Sequence, residues 1–550
     1  MSDRRGVGLL AVLAVFAVGL AARTWLLQYS PLPATLDGVR YAALARETLA
    51  TGGFTVAHVD SDELVFTSVI ALASAVTGVD PLHLAQPVTA VLGAAAGLTG
   101  MVIAVAIARG FGWSGRRLRY VGVLAGLTLA VEGLFLRRTG VPDEEVAALL
   151  LVSLVALAAH RTLRSRRYAW AAVFATFALI FPPLHNFSTA IAALVVTALV
   201  AVHVTRDPTR RTTLVGGAIA LGFWGLFLGY FTLSEWLGLR LTYSGLLRDH
   251  PGLFVAWVLV LAVGSAWFQR ASKRGQRTAF LLPFGVLFAV VAVNLARPVF
   301  PETIATPTAV LALVLLFAVP VALFGWGVPR LSRRRLAPEA GPFVYALAAG
   351  PLAMVWFTLT TALTPEFFGA SMRAQSFAHH AVFALAAVVA VGVATRERWR
   401  SVGRVLVLAL VLVAVVSMPL GYVHLDNTAY PATIHESEFD AASFARTNLP
   451  ESYTSDHRLS QLGSLYYFTG ANATPAPTRT WLVDGRPPAC PTIVQRVWTR
   501  SGAHFYPTPA QTLPTEEYRR WIATNHAVYD TGGYTKTTLV VPLGNRSRGC

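Results

Sequence analysis

Residues 36–52, Leu36-Asp-Gly-Val-Arg-Tyr-Ala-Ala-Leu-Ala-Arg-Glu-Thr-Leu-Ala-Thr-Gly52, follow the first long apolar segment and place an acid, Asp37, just past its end. Helical spacing puts Asp37, Tyr41, Leu44 and Thr48 on one stripe, with Arg40 and Glu47 beside it. Asp37 then either caps a helix lying at a membrane surface or presents a carboxylate for chemistry there. The rest of the chain decides between these through what it brings to the same face.

The surroundings are apolar. Of 550 residues, 55% are hydrophobic and 13% charged, and the mean hydropathy is +0.55. That is too little polar surface for a soluble protein of this size, so the chain reads as a polytopic α-helical membrane protein. The net charge of +17 does not indicate a nucleic-acid partner. Its Lys and Arg fall in short clusters between apolar segments, as cytoplasmic loops do. Two cysteines, Cys490 and Cys550, exclude a disulfide scaffold and a CxxC metal site and allow one bridge within the tail.

Basic clusters at Arg4-Arg5, 109–119, 161–167, 206–211, 270–277, 330–335 and 396–404 mark the inner side. Between them run apolar segments near 7–28, 83–108, 120–137, 146–160, 170–183, 187–204, 213–233, 252–269, 279–296, 305–328, 343–362, 379–395 and 404–421. About thirteen transmembrane helices are expected, N-terminus cytoplasmic, in a plasma membrane. Residues 64–78 would extend only roughly 22 Å as a helix, short of an apolar core about 30 Å thick. That segment is therefore assigned to the outer interface, within a first outer loop spanning 29–81. The transmembrane part covers 1–421. Residues 422–550, with acids, prolines, turn residues and short β-like runs such as 537–542, read as a small extracytoplasmic α/β domain. Asn472 and Asn545 begin N-glycosylation sequons there.

Further outer loops carry charge. In Arg137-Arg-Thr-Gly-Val-Pro-Asp143-Glu-Glu145 the acids suit the dipole of a following helix, yet two outer arginines run against the positive-inside bias. Glu302 sits in a short proline-flanked turn. Residues 364–373 end on Arg373 and lead to Gln375, His379 and His380 at the mouth of the twelfth span. Polar residues entering a span face a cavity or the bundle interior. Arg373, with Arg138 and one of the histidines, is assigned to phosphate contact, and Tyr41 lines the same face. Hard oxygens of Asp37, Asp143 and Glu302 on one side suit Mg²⁺ or Mn²⁺. Without a metal, one carboxylate serves as general base.

The acid of the first outer loop followed by Tyr41-Ala-Ala-Leu-Ala-Arg46, the stretch RRTGVPDEE in the second, and thirteen helices ahead of an outer domain resemble the GT-C superfamily of membrane glycosyltransferases. Within it, the chain is similar to archaeal and bacterial single-subunit oligosaccharyltransferases. The resemblance implies a polyprenyl-phosphate-linked sugar donor, a protein, lipid or glycan acceptor, Asp37 and Asp143 as catalytic or metal-binding residues, and Glu302 in the equivalent third position. The chain departs from that family in lacking the WWDYG motif and the TIxE sequence around Glu302. A noncatalytic GT-C-like binding or assembly protein and a membrane transporter are the alternatives. Few acids interrupt the spans, Glu132 being the clearest, which separates the chain from most transporters.

Overall fold

The computed structural model describes residues 8–165, 167–240, 244–299, 308–332, 340–422, 433–450, 452–505, 508–532, 535–543 and 550. Arg4-Arg5, Glu302 and the sequon at Asn545 lie outside them. The chain begins with α1 (Leu9–Thr24), α2 (Leu36–Thr51), α3 (Leu64–Thr77), α4 (Pro81–Gly110), α5 (Gly115–Val131) and α6 (Gly133–Thr139). It continues with α7 (Glu145–Arg164), α8 (Tyr168–Leu184), α9 (Asn186–Arg206), α10 (Arg210–Trp236), α11 (Ser244–Asp249) and α12 (Pro251–Arg270). Then come α13 (Lys273–Ala296), α14 (Thr308–Leu316), α15 (Ala318–Gly327), α16 (Gly341–Thr361), α17 (Pro365–Ala394) and α18 (Arg400–Ser417).

Among the described residues, 11 helical stretches are long and apolar enough to cross a membrane, or 12 if α5 and α6, bent by 66°, form one span. The remaining expected span is α8, a shorter apolar helix ending in Pro182 and Pro183. The bend has a local cause. Glu132 turns extended and its carboxylate accepts the amides of Leu134 and Phe135, starting a new helix. Gly133 there presses on the end of α18, where an added Cβ would come within 1.8 Å of the Ser417 carbonyl oxygen. α9, α16 and α17 are the most enclosed spans, while α10, α12 and α13 turn most of their surface outward.

One boundary differs from the sequence expectation. Residues 364–373 are not a loop: Thr364 caps α17, its Oγ1 accepting the Phe367 amide, and the helix runs 30 residues. Arg373 therefore stands on a rigid helix, and His379 and His380 lie about 9 to 10 Å further along it. That depth buries both histidines completely. α3 buries Phe66, Ile70 and Ala71 and exposes Val69, Leu72 and Val76, an apolar face without protein against it.

The C-terminal region has α19 (Glu436–Asn448), β1 (Tyr453–Thr454), α20 (His457–Tyr466), β2 (Ala473–Thr474), α21 (Ala476–Asp484) and β3 (Thr492–Gln495). β4 (Ala503–Phe505), β5 (Thr508–Gln511), α22 (Thr515–Thr524), β6 (His526–Asp530) and β7 (Thr537–Val541) follow. The main sheet has order β2-β1-β3-β7-β6, parallel from β2 to β3 and antiparallel beyond, with β4-β5 a separate pair. Cys490 and Cys550 form a disulfide. Leu32, Val39, Ala42, Ala43 and Leu82 share a core with Tyr453, Trp481 and Trp498, so α2 is the seat of this domain. Its other face carries Tyr41 into the membrane core against Phe66.

Candidate functional site

α2 starts with Thr35, whose Oγ1 accepts the Gly38 amide at 3.3 Å, leaving Asp37 without a capping task. The same hydroxyl donates to the Pro142 carbonyl at 3.1 Å. Gly38 lets the two loops touch: a Cβ there would lie 2.6 Å from Pro33 Cβ and 2.9 Å from Pro142. Gln86, buried in α4, ties them from below, accepting the Ala34 amide at 3.2 Å and donating to Gly140 O at 2.7 Å. Buried Arg23 donates to Thr139 O at 3.1 Å and Ala130 O at 2.9 Å. First and second loops are thus one construction resting on polar side chains from two spans.

Asp143 Oδ1 accepts the Glu145 amide at 2.8 Å at the start of α7. Arg373 reaches in from α17, its Nε donating to Glu145 Oε2 at 2.7 Å and its Nη2 lying 3.4 Å from Asp143 Oδ2. Asp37 is exposed on one side and crowded by protein on the others. That crowding, with the Asp143 charge, pushes its carboxyl up to about 6. Burial opposes ionisation of Asp143, but Arg373, with His185, the Glu145 amide and Arg138, outweighs it and holds the group below its ordinary range. Two neighbouring carboxyls with opposed tendencies make Asp37 the one able to exchange a proton near neutrality.

A second charged group lies alongside. Arg40 clamps Glu63 through Nε at 2.5 Å and Nη2 at 2.9 Å and lies 3.3 Å from Asp60. Tyr41 Oη donates to Glu144 Oε2. Glu144, Asp62 and His185 bring one ligand atom each to within 4.8 Å of one another, a group of the kind that holds a metal ion. Burial raises the Glu144 carboxyl to about 8 and lowers the His185 imidazole to about 3.

The structure therefore brings Asp37, Asp143 and Arg373 together, with Arg138 acting on the Asp143 charge and Tyr41 bonded to Glu144, the residue after Asp143. It does not bring His379 and His380 to them. His379 Nδ1 lies 3.1 Å from Glu132 Oε2 and His380 Nδ1 2.6 Å from Thr99 Oγ1, both inside the bundle. Glu302, expected to bind Mg²⁺ or Mn²⁺ together with Asp37 and Asp143, lies outside the described residues. Both Asp143 oxygens are engaged, and Arg373 already supplies positive charge there. From the sequence Glu145 is expected only to complement the dipole of a following helix, and Asp62 and His185 carry no expected site role. The acid run Asp60-Ser-Asp62-Glu63 and a histidine interrupting two apolar segments were the available signals.

No protein-family model and no curated protein matches this sequence. Solved structures do. The Archaeoglobus fulgidus oligosaccharyltransferase, in complex with Zn and sulfate, aligns over 96% of this chain and 73% of its own at 12% identity, TM-score 0.51. ArnT from Cupriavidus metallidurans aligns over 96% and 97% at 15% identity, TM-score 0.35. Arabinofuranosyltransferase AftD from Mycobacteria aligns over 99% and 40% at 12% identity, TM-score 0.48. The first alignment shows that this chain shares the overall fold of that archaeal oligosaccharyltransferase.

Proposed function

We propose that the chain is a glycosyltransferase that moves a sugar or oligosaccharide from a polyprenyl-phosphate-linked donor to a protein, lipid or glycan acceptor. The reaction takes place at the membrane end where α2 and the C-terminal domain lie. The observation that carries this reading is Arg373 held between Asp143 and Glu145 beside Asp37. A guanidinium oriented by two carboxylates matches a phosphate geometrically, and its charge offsets the one that develops as the sugar–phosphate bond breaks.

In this reading Asp37 takes the proton of the acceptor as the acceptor atom bonds to the anomeric carbon. The carbon–oxygen bond to phosphate breaks, and the electron pair leaves with the polyprenyl phosphate, which Arg373 and Arg138 receive. Asp143 and Glu145 orient Arg373, and no step is routed through a cation at Asp37 and Asp143. The reading takes the basic clusters at the far end of the bundle as cytoplasmic, which makes the C-terminal domain extracytoplasmic.

The test is donor consumption. Purified protein is incubated with polyprenyl-phosphate-linked sugars extracted from membranes, with and without Mn²⁺, beside Asp37→Asn and Asp143→Asn. Wild type consumes donor and Asp37→Asn does not. A wild type that leaves every donor intact, or an Asp37→Asn variant as fast as wild type, overturns the reading.

A further inference from the structure

Arg117, Arg330 and Arg396 come from three distant stretches of sequence and line one cavity of about 330 Å³. It lies at the far end of the bundle from the candidate site. Gly392, also in its wall, stands roughly 28 Å further along α17 than Arg373, close to the thickness of an apolar membrane core, about 30 Å. Among the described residues, no Asp or Glu lines the cavity. The positive-inside bias brings arginines to one end of a bundle, but it does not gather them round one cavity.

The wall opposite α17 is held by local geometry. Gly112 takes a φ of +75° after α4, and this reversal lets the Trp113 amide donate to Ala108 O at 3.0 Å. The Trp113 ring then lies along α17 at Gly392, where an added Cβ would be 3.3 Å from it. Val388 and Val389, a turn deeper in α17, give the cavity a buried apolar side toward the membrane core.

Helix ends account for two of the arginines and not for the third. Arg396 follows the last turn of α17, and Arg330 closes the short turn Val328–Arg330 after α15, positions where a cation suits a helix C-terminus. Arg117 sits instead in the first turn of α5, at the positive end of that helix's dipole. That turn holds no acid, and Ser114 makes no side-chain cap bond there. Three guanidiniums beside a helix N-terminus repel one another, and an anion between them relieves the repulsion.

We infer that this cavity binds the phosphate of one anionic phospholipid from the leaflet at that end of the bundle. Guanidiniums pair with phosphate through two parallel N–H···O bonds, and basic pockets between spans suit anionic headgroups. A free phosphate offers the same charge. Val388 and Val389 favour the lipid, because an amphiphile covers apolar surface next to the charges and a bare anion does not. The bound lipid joins the α4–α5 link to the end of α17. The site goes beyond the glycosyl-transfer reading and stands without it.

The test uses the full-length protein, delipidated in detergent and titrated with phosphatidylglycerol, phosphatidylcholine or inorganic phosphate. Native mass spectrometry counts bound lipid, and thermal unfolding follows stability. Wild type retains one phosphatidylglycerol per chain and melts higher with it, while phosphatidylcholine and inorganic phosphate at equal concentration do neither. Arg117→Gln combined with Arg396→Gln weakens phosphatidylglycerol binding roughly 30-fold. Arg116→Gln combined with Arg398→Gln removes the same charge from the same end outside the cavity, and this pair binds as wild type does. Equal weakening by the two pairs overturns the site, since general attraction between charges then explains the binding. Phosphatidylglycerol binding untouched by the first pair overturns it as well, and inorganic phosphate matching the lipid overturns the lipid as source. If the first pair fails to fold, Arg117→Gln alone, at an exposed residue, replaces it, and binding as tight as wild type overturns the site.

Discussion

Arg373 Nε donates to Glu145 Oε2 at 2.7 Å, joining α17 to the first turn of α7 across 228 residues of sequence. Glu145 is fully buried and Arg373 nearly so. Removing the arginine leaves a carboxylate in the protein interior without its counter-charge. Arg373→Ala is expected to destabilise the protein by about 3 to 5 kcal/mol. Adding Glu145→Gln to that variant restores most of the loss. Unfolding in detergent across the double-mutant cycle measures it, and additive effects would show that the pair is not coupled.

The pH profile of transfer follows from Asp37. Its carboxyl sits raised to about 6 by crowding and by Asp143, so below that pH it is protonated and cannot accept a proton. Activity is expected to rise as pH passes through about 6 and to level off above. A wild-type profile flat from pH 5 to 8 would assign the base elsewhere.

Gly38→Ala tests the seam between the loops. Its methyl would meet Pro33 and Pro142 inside 3 Å, and neither ring can rotate away. A loss of about 1 to 3 kcal/mol is expected, with donor turnover falling more than donor binding because Asp37 shifts against Arg373. A Michaelis analysis separates these, and an unchanged turnover would show that the seam does not position the site.

The C-terminal domain is held on α2 partly by Arg46, whose guanidinium lies 4.0 Å above the Tyr466 ring and donates to Tyr466 O at 3.0 Å. Arg46→Ala is expected to cost about 0.5 to 2 kcal/mol and to speed proteolytic release of the domain without altering its own melting. Equal cleavage rates in variant and wild type would mean that the shared apolar core alone holds it.

The cysteines test sidedness. With the Cys490–Cys550 bond in place, intact cells add no maleimide. In Cys490→Ser the remaining thiol reacts with a membrane-impermeant maleimide if the domain is extracytoplasmic, and only after lysis if it is not.

Much of this was legible locally. Apolar runs long enough to cross a bilayer announced the spans, because lipid leaves helices few alternatives. The acid stripe on α2 was legible for the same kind of reason, since helical spacing alone sets which residues share a face. The start of α17 was signalled by Thr364-Pro365-Glu366, a cap, a proline in the first turn and an early acid. Its low hydropathy made it read as loop instead, and the histidines followed that reading to the mouth of the span.

What the sequence determined by itself was a helical membrane protein with a distinct tail and an acid presented at one edge, because hydropathy and helical period act over neighbouring residues. Only the tertiary structure decided which charges meet. Arg373 chose Asp143 and Glu145, His379 chose Glu132, and Asp62 met the Asn186 amide across 124 positions of chain. Such pairings are set by how spans pack, since in an apolar interior each buried polar group takes whatever partner the neighbouring helix delivers within hydrogen-bond reach.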